Sequence, residues 1–251
     1  MAEQNIKLII EYKGTAYAGW QIQKDQRSIQ GCITDAIFKT TGKEVSLIGA
    51  GRTDAGVHAL GQTGNFIIDH NIEPEKYKDA LNYYLDNDVR IKISEEVPLE
   101  FNSRRSAMNK RYRYIIGTER SALYHEYRYE YTKSVDFEIL KKAAELVVGE
   151  HDFSGFCVLS SRKPDNTCNI TECSWRKGED KLVLEVVGNR FLHNMVRIMV
   201  GGMVNIATID KDRHPDNLTL EKFADILKAP TDQRIVFTAP PQGLYLVTVK
   251  Y

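Results

Sequence analysis

Thr171-Glu172-Cys173-Ser174-Trp175-Arg176 and Lys181-Leu182-Val183-Leu184-Glu185-Val186-Val187 stand on either side of Lys177-Gly178-Glu179-Asp180. Two runs rich in β-branched, aromatic and apolar residues around a short glycine-containing turn predict an antiparallel hairpin. Helical stripes surround it. Phe137, Leu140, Ala144 and Val147 recur at helical spacing up to a stop at Gly149, and Leu220, Phe223 and Leu227 mark a shorter helix. Arg190 to Ala207 reads as a long helix, Arg111 to Ile116 as a strand and Leu244 to Lys250 as a closing strand. The first half of the chain uses the same grammar. Ile6 to Tyr12, Val45 to Ala50, Thr63 to Ile68 and Val89 to Ile93 read as strands. Ser28 is placed to cap a helix carrying Ile29, Cys32, Ile33, Ala36 and Ile37, and Pro74 opens another with Tyr77, Ala80, Leu81, Tyr84 and Leu85. A hairpin among mixed helices and strands predicts an α+β fold with largely antiparallel sheet. Each half has a strand–helix–strand–strand–helix–strand content, which predicts two similar halves side by side. Residues 121–130 read as the boundary between them.

The chain has 251 residues, enough for one large domain or two ordinary ones and for a sizeable core. Its 34 basic and 34 acidic residues balance, so any affinity for a polyanion must come from where the charges lie. Cys32, Cys157, Cys168 and Cys173 form no C-x-x-C pair, which gives no support to zinc-knuckle or thioredoxin chemistry and predicts reduced thiols in a cytoplasmic protein. Met1-Ala2-Glu3-Gln4-Asn5 lacks a basic stretch followed by an apolar one, so no signal peptide is expected. The most apolar segment, Met195 to Ala207, is too short for a bilayer and is interrupted by Arg197 and Asn205, so no membrane span is expected either.

Three segments carry chemistry. In Gly51-Arg52-Thr53-Asp54-Ala55-Gly56-Val57-His58, two glycines bracket a carboxylate just after a strand. Such a turn can present Asp54 to a ligand as nucleophile, base or metal ligand. The residues alone leave open an aspartate that caps its own turn. A metal site on Asp54 and His58 lacks a third ligand, so no metal is expected. In the Asn102 to Ile116 stretch, Arg104, Arg105, Lys110, Arg111 and Arg113 occur with no acid among them. Strand alternation puts Tyr112 and Tyr114 on one face and Arg111 and Arg113 on the other. Aromatic faces suit bases and arginines suit phosphates, while core tyrosines on an edge strand are the structural alternative. Arg190, Asn194, Arg197 and Gly201 fall on one face of the expected long helix. An arginine in so apolar a helix needs a carboxylate or a polar cleft, unless it reaches solvent.

Together these segments resemble the tRNA pseudouridine synthase A (TruA) family. Gly51-Arg52-Thr53-Asp54-Ala55-Gly56-Val57-His58 is similar to its catalytic motif, Lys110-Arg111-Tyr112-Arg113-Tyr114 to its tyrosine motif, and Phe191-Leu192-His193 through Met195-Val196-Arg197 and Gly201 to its arginine helix. Gly19-Trp20-Gln21-Ile22-Gln23, Ser28-Ile29-Gln30 and Gly243-Leu244-Tyr245-Leu246 add matches in family order, across nearly the whole chain. Two positions depart from the pattern: Ile22, where members often carry a basic residue, and Ser103, where alanine is common.

The resemblance implies a cofactor-independent isomerase that turns uridine into pseudouridine in tRNA, at positions 38 to 40 of the anticodon stem-loop, with tRNA as partner. It implies Asp54 as the covalent catalyst, Tyr112 against the target base, Arg197 paired with Asp54, Arg52 assisting RNA entry or displacing the flipped base, and Leu244 lining the pocket. Arg104, Arg105, Lys110 and Arg111 would bind RNA. It further implies a homodimer, and two α/β halves on a continuous, mostly antiparallel sheet flanked by helices, with the catalytic cleft between the halves. The N-terminal half, 1–105, would carry the aspartate loop, and the C-terminal half, 106–251, the tyrosine strand and arginine helix. The competing readings are a synthase acting on another structured RNA such as ribosomal RNA, a non-catalytic RNA-binding protein, and a metal-dependent hydrolase. No electrons or groups enter the isomerisation, so no cofactor is expected, in keeping with the lack of a P-loop or dinucleotide fingerprint.

Overall fold

The computed structural model describes residues 3–209, 218–228 and 234–251. Among them, the chain forms two compact units: Met1–Lys110 together with Tyr245–Tyr251, and Arg111–Leu244. The expected division at 105/106 therefore needs two changes. The break falls after Lys110, and the C-terminal strand returns to the first unit. Residues 121–130, read as a boundary, lie inside the second unit.

The first unit runs β1 (Gln4–Tyr12), α1 (Ile29–Thr41), β2 (Ile48–Gly49), β3 (His58–Ile68), α2 (Tyr77–Tyr84) and β4 (Val89–Val97), the succession expected from the sequence. Pro74–Lys76 forms a short 3-10 turn leading into α2. β1 is central, antiparallel to both β3 and β4. The closing strand β10 (Leu244–Lys250) lies parallel to β3, with Tyr245 opposite His58 and Leu246 opposite Ala59. The chain must return to close this pair, because parallel neighbours cannot be joined by a tight turn. Ile6, Leu8 and Ile10 of β1 and Ile29, Ile33 and Ile37 of α1 are buried, the period-two and period-3.6 patterns meeting in one core. Ser28 caps α1 as expected, its Oγ accepting from Gly31 N at 3.2 Å. Gly42, in the left-handed region at φ 70°, ends the helix.

The second unit runs β5 (Asn109–Gly117), β6 (Tyr129–Glu130), α3 (Phe137–Leu146), β7 (Gly149–Asp152), β8 (Thr167–Lys177), β9 (Lys181–Gly188), α4 (Met195–Ala207) and α5 (Leu220–Lys228). Its strand order is β5-β9-β8-β7, with β6 parallel to β5. β8 and β9 are the antiparallel hairpin read from residues 171–187, with Trp175 opposite Leu184. The fold is thus a mixed α/β one, with a large, mostly antiparallel sheet flanked by helices. Two elements are shorter than expected: β2 covers only Ile48–Gly49 of the Val45 to Ala50 stretch, and α4 begins at Met195, not Arg190, because Asn194 takes a left-handed conformation at φ 61°. No helix among the described residues is long and apolar enough to cross a membrane.

Candidate active site

The Gly51–His58 segment is a loop between β2 and β3, pinned by backbone and buried side chains. Gln62, fully buried on β3, donates from Nε2 to Gly51 O at 2.8 Å. Trp20 N donates to Thr53 O at 3.1 Å, and Val57 N to Asp54 O at 3.2 Å. Gly19, at φ 96°, makes the first of these contacts possible, since a Cβ there would lie 2.6 Å from Thr53 O. Exposure alternates along the loop: Arg52 is exposed, Thr53 is buried and Asp54 is half-buried. Thr53 Oγ1 lies 2.7 Å from Tyr12 OH. Asp54 therefore stands half-buried on a pinned base.

His58 belongs to the scaffold. It is buried, its Nδ1 accepts from Gly14 N at 3.1 Å, and its ring stacks on Tyr245 at 4.8 Å. That ring nitrogen cannot hold a metal while it holds Gly14. Among the described residues no group of three or more His, Cys, Asp or Glu side chains could hold a metal ion. The four cysteines are free thiols.

Tyr112 and Tyr114 share the buried face of β5, and Arg111 and Arg113 the opposite, half-exposed face. Tyr114 is the core tyrosine: its ring is fully buried against Gly243, and its OH donates to Pro240 O at 2.7 Å. Tyr112 keeps 7% of its surface and meets Phe191 edge-on at 4.9 Å. Leu244 follows the Pro241–Gly243 turn and is buried.

The basic cluster is less free than its sequence suggests. Arg111 pairs with Glu172 at 2.8 Å and Glu185 at 3.4 Å, and Arg113 pairs with Glu185 at 2.6 Å. These acids come from β8 and β9, far along the chain, so a local count of charges could not see them. Glu185, a single acid in an otherwise apolar strand, was the available clue. Arg104 and Arg105 remain exposed, their backbone N–H groups held by Asn102 Oδ1 at 3.1 and 3.0 Å. Lys110 is half-buried; a Cβ on Gly51 would lie 3.5 Å from its Nζ. Burial, and then the charge of Arg104, lower its pKa from the usual lysine value.

Arg190 is not on α4; it pairs with exposed Asp165 at 3.3 Å. The half-exposed face of α4 is instead Arg197, Gly201 and Asn205. Arg197 Nε donates to Ala239 O at 2.8 Å and Nη1 to Asn194 Oδ1 at 2.9 Å, while Ala239 N donates back to Arg197 O at 3.0 Å. Gly201 lets this segment lie against the helix, since a Cβ there would fall 2.4 Å from Phe237 O. Ser103, the departure from alanine, is fully buried, and its Oγ donates to Ile48 O at 2.6 Å, tying it to β2.

A family described as tRNA pseudouridine synthase matches residues 8–104 and 143–251, which include the Asp54 loop, α4 and the closing strand. The chain belongs to the tRNA pseudouridine synthase family. It is therefore an isomerase. The tRNA pseudouridine synthase A of Acetivibrio thermocellus is 43% identical over 251 residues, covering 99% of this chain and all of that one. That of Caldicellulosiruptor saccharolyticus is 40% identical over 250 residues at the same coverage, and that of Brachyspira hyodysenteriae 39% over 245 residues, or 96% of each chain. A solved Cbf5-Nop10-Gar1 complex, at 10% identity and a TM-score of 0.35 over 79% of this chain and 54% of that one, is too distant to add to this. The synthase assignment leaves the roles of individual residues to be argued from chemistry.

Proposed function

We propose that this tRNA pseudouridine synthase isomerises uridines at positions 38 to 40 of the tRNA anticodon stem-loop, with Asp54 as nucleophile. The observation that carries this is the pinned loop. It buries Thr53 and leaves Asp54 half-exposed on a fixed base, inside the segment that most resembles the family's catalytic motif. The target nucleotide must leave the stem, at a cost of a few kcal/mol. The carboxylate attacks C1′ as the N1–C1′ bond breaks, or it takes the C2′ proton so that the base leaves and the sugar becomes a glycal. The uracil turns, and C5 bonds to C1′ as the carboxylate leaves C1′ or returns the proton to C2′. The C5 proton passes to solvent and N1 takes one up, so the composition of the nucleoside is unchanged.

In this reading Tyr112 lies against the base, Leu244 lines its pocket, and exposed Arg52 assists entry or fills the space that the flipped base leaves. Arg197 is assigned as the cationic partner of Asp54. Arg104, Arg105 and Lys110 meet phosphates. Arg111, held by two glutamates, orders that surface more than it adds free charge. The enzyme works in the cytoplasm as a homodimer. A folded tRNA is longer than one small catalytic domain, and a two-fold axis sets a second basic surface beside the first.

Tritium release from C5-labelled tRNA tests the central claim. Asp54→Asn and Asp54→Ala are expected to abolish release while tRNA binding stays near normal, and turnover by Asp54→Ala would remove the nucleophile. Pseudouridine mapping on a panel of tRNA and ribosomal RNA fragments tests the substrate, and product confined to ribosomal RNA would replace it. A monomeric mass in light scattering at working concentration would sink the dimer.

A further inference from the structure

Thr53 is the one residue of Arg52-Thr53-Asp54 that turns inward. Its carbonyl and its hydroxyl are both engaged within the first unit. Its carbonyl accepts from Trp20 N at 3.1 Å, and its hydroxyl lies 2.7 Å from the Tyr12 hydroxyl. Tyr12 sits at the end of β1, just past the irregularity between Ile10 and Tyr12 in the pairing with β3. Its ring is buried and tilts against Trp20 at 6.3 Å. Gln62 hydrogen-bonds to the same phenol, and its amide also holds Gly51 O at 2.8 Å. Two paired strands thus hold the loop, β3 through Gln62 at Gly51 and β1 through Tyr12 at Thr53. Burial raises the phenol's pKa, so Tyr12 stays a neutral hydroxyl and acts by geometry, not by proton transfer. The hydroxyl-to-hydroxyl bond fixes which way Thr53 turns, and Arg52 and Asp54 are joined to it in the same short pinned loop.

We propose that the Tyr12–Thr53 hydroxyl pair is a positioning latch for the nucleophile: holding Thr53 inward holds Arg52 and Asp54 outward in reactive register. This rests on Asp54 being the nucleophile. Neither latch residue touches the uridine. Loss of the latch leaves the carboxylate present but loosely aimed, and a misplacement of about 1 Å costs on the order of 100-fold in rate.

Single-turnover rate, tRNA dissociation constant and melting temperature are measured for Tyr12→Phe, Thr53→Val, the double variant and Thr53→Ser. Tyr12→Phe and Thr53→Val should each slow the chemical step about 10- to 100-fold with little change in tRNA affinity. The double variant should be no slower than the slower single one, because all three lose the same bond. Thr53→Ser keeps the hydroxyl and should recover most of the rate. If Thr53→Val does not fold, Tyr12→Phe and Thr53→Ser carry the comparison. Variants that melt earlier but react at the wild-type rate while fully folded would overturn the latch, as would losses that multiply in the double variant. Asp54→Ala is run alongside. If it is dead while Tyr12→Phe is fully active, the latch alone is wrong; if it turns over, the nucleophile assignment falls and takes the latch with it.

Discussion

Gly201 and Gly202 are neighbours on α4, yet alanine should affect them very differently. Either substitution gains about 1 kcal/mol of helix propensity. At Gly202 the new Cβ would lie 3.1 Å from Ile235 Cδ1 and 3.1 Å from Phe223 Cε2, both tips of side chains that can yield by a few tenths of an ångström. At Gly201 it would lie 2.4 Å from Phe237 O and 2.7 Å from Phe237 C, which are backbone atoms. The 237–239 segment must then retreat, and with it go the bonds from Ala239 N to Arg197 O and from Arg197 Nε to Ala239 O. Overpacking costs about 1–3 kcal/mol and two weakened hydrogen bonds about 1 kcal/mol each. After the propensity gain, Gly201→Ala should lose about 2–4 kcal/mol, and Gly202→Ala should stay within about 1 kcal/mol of wild type. In a chain of this size that is a fall of about 4–16 °C in melting temperature for the first and little for the second. Thermal unfolding followed by circular dichroism, with hydrogen exchange over Met195–Ala207, measures both. Equal stability of the two variants would refute the argument, because it would mean that the 237–239 segment is not held against the helix. A drop in turnover larger than the loss of folded protein should accompany Gly201→Ala, since Arg197 moves with its partner.

Salt dependence separates the arginines. Affinity for tRNA should fall steeply with salt, at about −0.7 in log–log slope per phosphate neutralised on single-stranded RNA. Arg104→Glu and Arg105→Glu should flatten it at little cost in stability, whereas Arg111→Glu should lower the melting temperature, because it sets a third carboxylate beside Glu172 and Glu185. Isothermal titration across a salt series checks this, and a salt-independent affinity would remove the patch as the footprint. Lys110, its pKa lowered by burial and by Arg104, should lose its charge before an ordinary lysine. tRNA affinity should therefore weaken as pH rises through that lowered value, and Lys110→Arg should hold it further. Because the folded state sheds this proton before the unfolded one, the same group should add stability over that window as pH rises. Burial raises the Cys168 thiol to about 11 and the Cys173 thiol to about 12, so alkylation of the native protein at pH 8 should spare both until it is unfolded. Rapid labelling of Cys173 in the native state would contradict its placement.

Legibility in the sequence followed the reach of each interaction. The hairpin of β8 and β9, the Ser28 cap and the stripe of α1 depend on neighbours within a few residues, and all were readable. β3 was seen only as Thr63 to Ile68, although it starts at His58. Gly61 through Phe66 are buried on both faces of this strand, so they show no alternation to read. α4 was read five residues too long, because periodicity does not register a single left-handed residue at Asn194. In the candidate site, the Asp54 loop stood out through its glycines, and Arg197 through its isolation in an apolar helix. The glutamates facing Arg111, and Tyr12 beneath the loop, arrive from distant strands. Their sequence separation from their partners, 61 residues for Arg111 and Glu172 and 41 for Tyr12 and Thr53, is too great for any local pattern to link them.

The return of residues 245–251 to the first unit sets a timetable for biosynthesis. β3 emerges from the ribosome early, but its parallel neighbour β10 is encoded after the whole of the second unit. At about 5–20 residues per second, translation of the intervening stretch takes on the order of ten seconds. Through that interval the nascent first unit has a strand edge with unsatisfied amides and carbonyls, and His58 lacks the Tyr245 ring that stacks on it in the finished fold. Such an edge is a template for pairing with another nascent chain. That edge, opposite Tyr245 and Leu246, is closed only when the last strand exists.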